Sequence, residues 1–180
     1  MIYLRNGQIW IETVLYTLIG IALIGLVLAI ATPAINGARD RIVVEQTIET
    51  LNDWDSKINE LLGTVSGNSR TISALTMRKG ELYVNPSNDS IVIMVKDLHS
   101  PYSELGIPIE IGKIQLISLQ DGNSDFVRLT LDYKNLSDLT YAGGDELKKF
   151  VASPTPYSFL IRNMGGANIT QIDIEETSRR

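Results

Sequence analysis

The sequence predicts an α+β protein: a long N-terminal transmembrane and amphipathic helix, kinked near Pro33, packed on an antiparallel β-sandwich-like domain. Three observations carry that expectation. Thr13 to Thr32 is an unbroken run of twenty uncharged residues. At a helical rise of about 1.5 Å per residue it spans roughly 30 Å, the hydrocarbon thickness of a bilayer. Apolar residues then continue at helical spacing to Leu62, and beyond a small-residue stretch the periodicity changes to that of strands.

Before the apolar run the only positive charges are Arg5 and the amino terminus, and the small residue Gly7 precedes the run rather than following it. A secretory signal has the opposite order, with its small-residue cut site beyond the apolar stretch. No compact small-x-small exit appears here until Ala29 to Ala31, so a cut after Gly7 would leave the helix on the mature chain. Glu12 stands at the head of the run. A carboxylate facing hydrocarbon costs several kcal/mol unless it is paired, which makes it a functional candidate. Two roles fit it: pairing with a cation, and complementing the helix macrodipole, worth about 0.3 to 1 kcal/mol.

Pro33 removes a backbone donor and crowds the carbonyl of Ala29, and Asn36-Gly37 follow closely. A kink or a local unwinding is therefore expected between Thr32 and Ala38. Helix then resumes. From Arg39 to Leu62 apolar residues recur at Val44, Ile48, Leu51, Ile58 and Leu62, with Trp54 beside the gap at Asp55, while Asp40, Glu45, Glu49, Asp53, Lys57 and Glu60 are polar. Such a stripe is expected to pack on the soluble domain of the same chain.

Residues 63–70 read as a small-residue linker. Strands are expected at Leu82–Val84, Ile91–Val95, Ile114–Leu119, Phe126–Tyr133, Tyr157–Arg162 and Ile169–Ile174. The clearest alternates Val127, Leu129, Leu131 and Tyr133 with Arg128, Thr130 and Asp132. Asn85-Pro86-Ser87-Asn88, Asp121-Gly122-Asn123 and Gly165-Gly166-Ala167-Asn168 supply turn residues between them. Six or more short strands at this spacing predict a sandwich or a sheet wrapped on the helix. Asp145–Val151 reads as a short helix, and the chain closes on a polar tail.

Lys+Arg 16 against Asp+Glu 21 gives a net charge of -5, which argues against a nucleic-acid partner. The absence of cysteine excludes disulfides, thiol chemistry and cysteine-ligated metals. His99 is the sole histidine, so histidine clusters and triads are excluded, and beside Ser100-Pro101 it reads as a structural loop residue. Gly143-Gly144 and Gly165-Gly166 read as turns rather than phosphate loops. Asp121, Asn123, Asp125 and Asp132 resemble part of a calcium loop, but Phe126 replaces the glycine of its sharp bend, so a hairpin is the better reading. No catalytic residue, metal or cofactor is assigned. Asn88, Asn135 and Asn168 each head an Asn-x-Ser/Thr triplet and are candidate N-glycosylation acceptors.

Residues Arg5 to Pro33 resemble the type IV pilin superfamily, and its archaeal branch in particular. In that family a short basic leader ends in glycine, a membrane aspartic peptidase cuts after it, and a glutamate lies four residues beyond the new terminus. Gly7, Gln8 and Glu12 fill those places, while Trp10 departs from the small polar residue many relatives carry there. The resemblance implies a class III (prepilin) leader at 1–7, a transmembrane and filament-core helix at 8–32, and its amphipathic continuation at 33–62. It further implies an extracytoplasmic β-rich domain at 71–175 and a polar tail at 176–180.

The function so implied is that of a structural subunit, major or minor, of an archaeal type IV pilus-like surface filament, with no enzymatic activity. The chain would cross the cell membrane once, N-terminus inside, before joining the filament. The α-amino group of Gln8 would pair with Glu12 of a neighbouring subunit. Ile9, Val14, Leu18, Ile21, Leu26 and Leu28 would exchange lipid for neighbouring helices along an open screw axis. The implied partners are a prepilin peptidase, a pilus assembly ATPase with its membrane platform, copies of the chain or related pilins, and membrane lipid before assembly. The alternative is a solitary single-pass anchor bearing a β-domain that binds a ligand and does not polymerise.

Overall fold

The structure, a computed structural model, describes the backbone of residues 5–177 and the side chains of residues 10–177. Residues 1–4 and 178–180 lie outside the described residues. Two compact units are present, Met1–Arg39 and Asp40–Arg180, and helix α1 (Arg5–Leu62) contributes to both.

In the first unit no side chain from Trp10 to Arg39 is buried. Large apolar residues are exposed on every side of the helix, Ile11, Leu15, Leu18, Ile21, Leu23, Val27 and Ile30 among them. The helix closes its own polar groups: Thr17 donates to the carbonyl of Thr13 at 2.8 Å and Thr32 to that of Leu28 at 2.6 Å. α1 runs unbroken through Pro33, so the local unwinding expected between Thr32 and Ala38 does not occur. Proline removes one ladder bond, to the Ala29 carbonyl, whereas unwinding would free several backbone groups at once.

Among the described residues the second unit holds the C-terminal part of α1 and ten strands: β1 (Ser69–Leu75), β2 (Glu81–Asn85), β3 (Ser90–Leu98), β4 (Pro108–Ile111), β5 (Ile114–Asp121), β6 (Ser124–Asp132), β7 (Ser137–Tyr141), β8 (Lys148–Val151), β9 (Tyr157–Gly165) and β10 (Thr170–Glu176). They form a four-stranded sheet in the order β1-β9-β10-β7 and a six-stranded sheet in the order β4-β5-β6-β3-β2-β8. All pairs are antiparallel except β7 with β10, which corrects the expectation of a purely antiparallel domain. The chain leaves β7, visits the larger sheet as β8, and returns through β9. β10 thus runs alongside β7 in the same direction.

Asp145–Val151 is not helical. Its second half is β8, paired with β2, and Phe150 decides the matter. That ring is buried and packs edge-on to Tyr141, Tyr157 and Phe159, with centroids 5.0 to 5.8 Å apart. Three aromatic partners at a strand position outweigh the modest helix preference of Glu146, Leu147 and the two lysines.

Both sheets and α1 share one core. From the helix, Val44, Ile48, Leu51, Trp54, Ile58 and Leu61 enter it, in steps of three and four. Trp54 fills the place the sequence left at the Asp55 gap, its ring centroid 5.1 Å from that of Phe159, and Leu61 rather than Leu62 closes the stripe. Asp55 points instead to the Tyr133 hydroxyl, which donates to it at 3.0 Å. Burial and the Asp55 charge push the Tyr133 phenol well above its ordinary value, so it remains a donor.

The turns hold as expected. Asp121 pairs with Ser124 across a two-residue hairpin in which Gly122 has φ +59°. At the β9–β10 connection a Cβ on Gly166 would lie 1.9 Å from the Ile169 carbonyl oxygen, so only glycine fits.

Candidate functional site

Gly7, Gln8 and Ile9 lie on helical backbone, with side chains outside the described residues. Glu12 is exposed and, by helical spacing, shares a face with Tyr16, Ile19 and Leu23. No ion pair to Glu12 forms among the described residues. Val14, Leu18, Ile21, Leu26 and Leu28 are all exposed, from 39% at Val14 to 62% at Ile21. Val14, Leu18, Ile21 and Leu28 share one face, and Leu26 lies ~80° around from Leu18.

The apolar segment is therefore not a one-sided stripe. A helix greasy all round needs a non-aqueous neighbour on every side, either lipid or other helices. One stretch of α1, near the N-terminus, is long and apolar enough to cross a membrane. Glu12 stands at the head of this apolar stretch, an unusual place for a carboxylate.

The second unit begins with a buried acid that the sequence grouped with the polar positions. Asp40 lies one turn before Val44 on the core-facing side of α1, and its side chain is 6% exposed. Lys79 donates to its Oδ1 at 2.8 Å, and Oδ2 accepts the backbone N–H of His99 and its ring Nδ1, both at 2.7 Å. Lys79 also donates to the Asp97 carbonyl at 3.1 Å. Burial pushes the Asp40 carboxyl up, but the hydrogen bonds from Lys79 and His99 outweigh it and hold the group below its ordinary value. His99 lies in a loop, as its sequence context indicated. What the sequence left unread was its partner, although the four-residue step to Val44 was visible.

At the far end of the same helix segment, Asn163 of β9 is buried and caps the C-terminus of α1. Its amide donates to the carbonyls of Leu61 at 2.8 Å and Thr64 at 3.1 Å, and its Oδ1 accepts the Gly165 N–H at 2.7 Å. These satisfy carbonyls that a helix end otherwise leaves open. On the outer face of the larger sheet, Glu81 receives Lys149 at 2.7 Å, Lys96 at 2.8 Å and the Tyr83 hydroxyl. Lys149, then Lys96 and Tyr83, bring the Glu81 carboxyl down to about 2.

The candidate acceptors Asn88, Asn135 and Asn168 are all exposed, in the turns at 86–88, 133–137 and 166–169. They gather at one end of the second unit. Ser90 pairs with Asp132, the Tyr133 N–H donates to the Asp89 carbonyl at 2.8 Å, and Ser137 pairs with Thr170. β3 carries the chain from Ser90 to the neighbourhood of Asp40, so this end lies about 25 Å from that acid. No protein family, curated protein or solved structure matches the chain.

Proposed function

We propose that the chain is a structural subunit, major or minor, of an archaeal type IV pilus-like surface filament, processed after Gly7 and assembled through its N-terminal helix. The observation that carries this reading is a helical segment with no buried side chain from Trp10 to Arg39 and a single acid, Glu12, at its head. A simple anchor needs the apolar length and gains from that acid only the macrodipole contribution of about 0.3 to 1 kcal/mol. Removal of the leader creates an α-ammonium at Gln8, and in a staggered stack of helices that cation meets Glu12 of the next subunit in a medium of low dielectric constant. One peptide-bond cleavage thereby licenses polymerisation.

In the membrane the helix holds the subunit with its sandwich-like β-domain outside. On extraction, Ile9, Val14, Leu18, Ile21, Leu26 and Leu28 trade lipid for neighbouring helices, a kink at Pro33 adjusts their path, and repetition of the contact by an open screw operation extends the fibre. A prepilin peptidase, an assembly ATPase with its membrane platform, and copies of the chain or related pilins are the partners this requires. No catalysis is assigned.

Mass spectrometry of the mature amino terminus, paired with imaging of surface fibres from a Glu12→Gln strain, tests the proposal. The expected result is a chain beginning at Gln8 and a strain whose subunit stays in the membrane without fibres. A chain that retains Met1 and is found only as monomers would overturn it in favour of the tethered binding domain.

A further inference from the structure

The three Asn-x-Ser/Thr triplets differ in a way their sequences do not show. Each asparagine is exposed, but a transferase must also draw the hydroxyl two residues on, and the backbone between, into its own site. In the first triplet Ser90 is buried and Asp89 is locked: its N–H donates to the Pro86 carbonyl at 3.0 Å, its carbonyl accepts the Tyr133 N–H, and its carboxylate accepts the Leu139 N–H at 2.9 Å. In the second, Asn135 sits at φ +68°, and the amides of Leu136 and Ser137 both donate to the Tyr133 carbonyl, at 2.8 and 3.1 Å. The Ser137 hydroxyl is fully enclosed, with no hydrogen-bond partner among the described residues. In the third, Asn168 and Ile169 are exposed and take no part in the turn hydrogen bonds among the described residues, and Thr170 is half-exposed at the first residue of β10.

From these contrasts we infer that Asn168 is the one acceptor that can be glycosylated on the folded domain, whereas Asn88 and Asn135 can be modified only before β3 and β7 are in place. The donor is a lipid-linked oligosaccharide phosphate. The Asn168 Nδ2 forms a bond to the anomeric carbon, the bond from that carbon to the phosphate oxygen breaks, the lipid phosphate leaves with the electron pair, and one amide proton passes to a base of the transferase. Ser137 shows why the fold blocks the second triplet. Reaching its hydroxyl means pulling β7 off β10, a local unfolding of packed strand rather than a loop motion. The carbohydrate pattern on the mature chain thus records which modifications preceded folding. The inference concerns the second unit alone and holds whether or not the chain polymerises.

The test uses the full chain, folded in detergent, beside three synthetic peptides covering residues 83–93, 130–140 and 163–173. All are treated with a purified oligosaccharyltransferase and its lipid-linked donor, and occupancy is read by glycopeptide mass spectrometry. The expected outcome is transfer to all three peptides, and in the folded chain transfer to Asn168 with rates at Asn88 and Asn135 lower by roughly a hundredfold, the scale of local opening in packed strands. An Asn168→Gln chain is then left unlabelled while folded. Transfer to Asn88 or Asn135 in the folded chain at the Asn168 rate, a folded chain that leaves Asn168 bare while its peptide is modified, or three inert peptides would each overturn the inference.

Discussion

Asp40 and His99, fifty-nine positions apart, meet through two hydrogen bonds to one carboxylate oxygen, from the His99 backbone N–H and from its ring. With Lys79 on the other oxygen, this carboxylate joins the first residue of the second unit to the loop before β2 and the end of β3. An enclosed acid so placed is stabilising only while its partners remain.

Asp40→Asn keeps the shape and removes the charge, leaving Lys79 beside a neutral amide. The expected cost is about 1 to 3 kcal/mol. His99→Ala retains the backbone N–H bond and is expected to cost less. Equilibrium denaturation of the full chain in detergent checks both: the midpoint should fall further for Asp40→Asn, with the slope unchanged.

Asn163→Ala leaves the Leu61 and Thr64 carbonyls and the Gly165 amide without this partner, at an expected cost of about 1 to 3 kcal/mol. Asn163→Asp should be worse, because a carboxylate would face two carbonyl oxygens. Hydrogen exchange at residues 61–68 should speed up in both variants. Unaltered exchange there would show that the cap is dispensable.

Glu81 has a folded pKa of about 2 against an ordinary 4.5. A lowered folded value means that the carboxylate contributes its full stabilisation above the unfolded pKa and loses it as pH falls through the folded one. Unfolding followed from pH 5 to pH 2 should therefore show declining stability for the native chain, and a shallower decline for Glu81→Gln across the same interval. Parallel curves would mean that the lysines of β3 and β8 do not act through this acid.

Ser137→Ala removes a buried hydroxyl that has no partner among the described residues. Since leaving a buried polar group unpaired is itself costly, the change is expected to be neutral or stabilising by up to about 1 kcal/mol. Thermal unfolding of the two chains measures this. A loss above that size would reveal a hydrogen bond to the hydroxyl that the structure lacks.

Much of the architecture was legible before any coordinates because its signals are local. The uncharged run, the alternation in β6, the helical stripe and the Asp-Gly and Gly-Gly turns each report on a few neighbouring residues. The features that escaped depend on distant ones. Phe150 reads as strand only once Tyr141, Tyr157 and Phe159 surround it, and Asp40 reads as polar surface until Lys79 and His99 arrive. β1, β4 and β7 are short or carry few alternating apolar residues, and Asn163 has nothing in its own segment to mark it as the cap of a helix a hundred residues earlier. The site is divided in the same way. Glu12 is conspicuous in sequence because a charge beside hydrocarbon is rare, whereas the differing availability of Ser90, Ser137 and Thr170 exists only in the folded chain.

Among the described residues β7 has β10 as its only sheet partner, and the residues of β10 are synthesised after every other strand in either sheet. As the polypeptide emerges, the stretch around Tyr133 to Tyr141 must wait, unzipped, until position 176 has cleared the machinery that makes or exports it. That delay gives a cell a brief interval in which an otherwise sealed segment can be reached, and its length is set by the rate of elongation rather than by the stability of the finished domain.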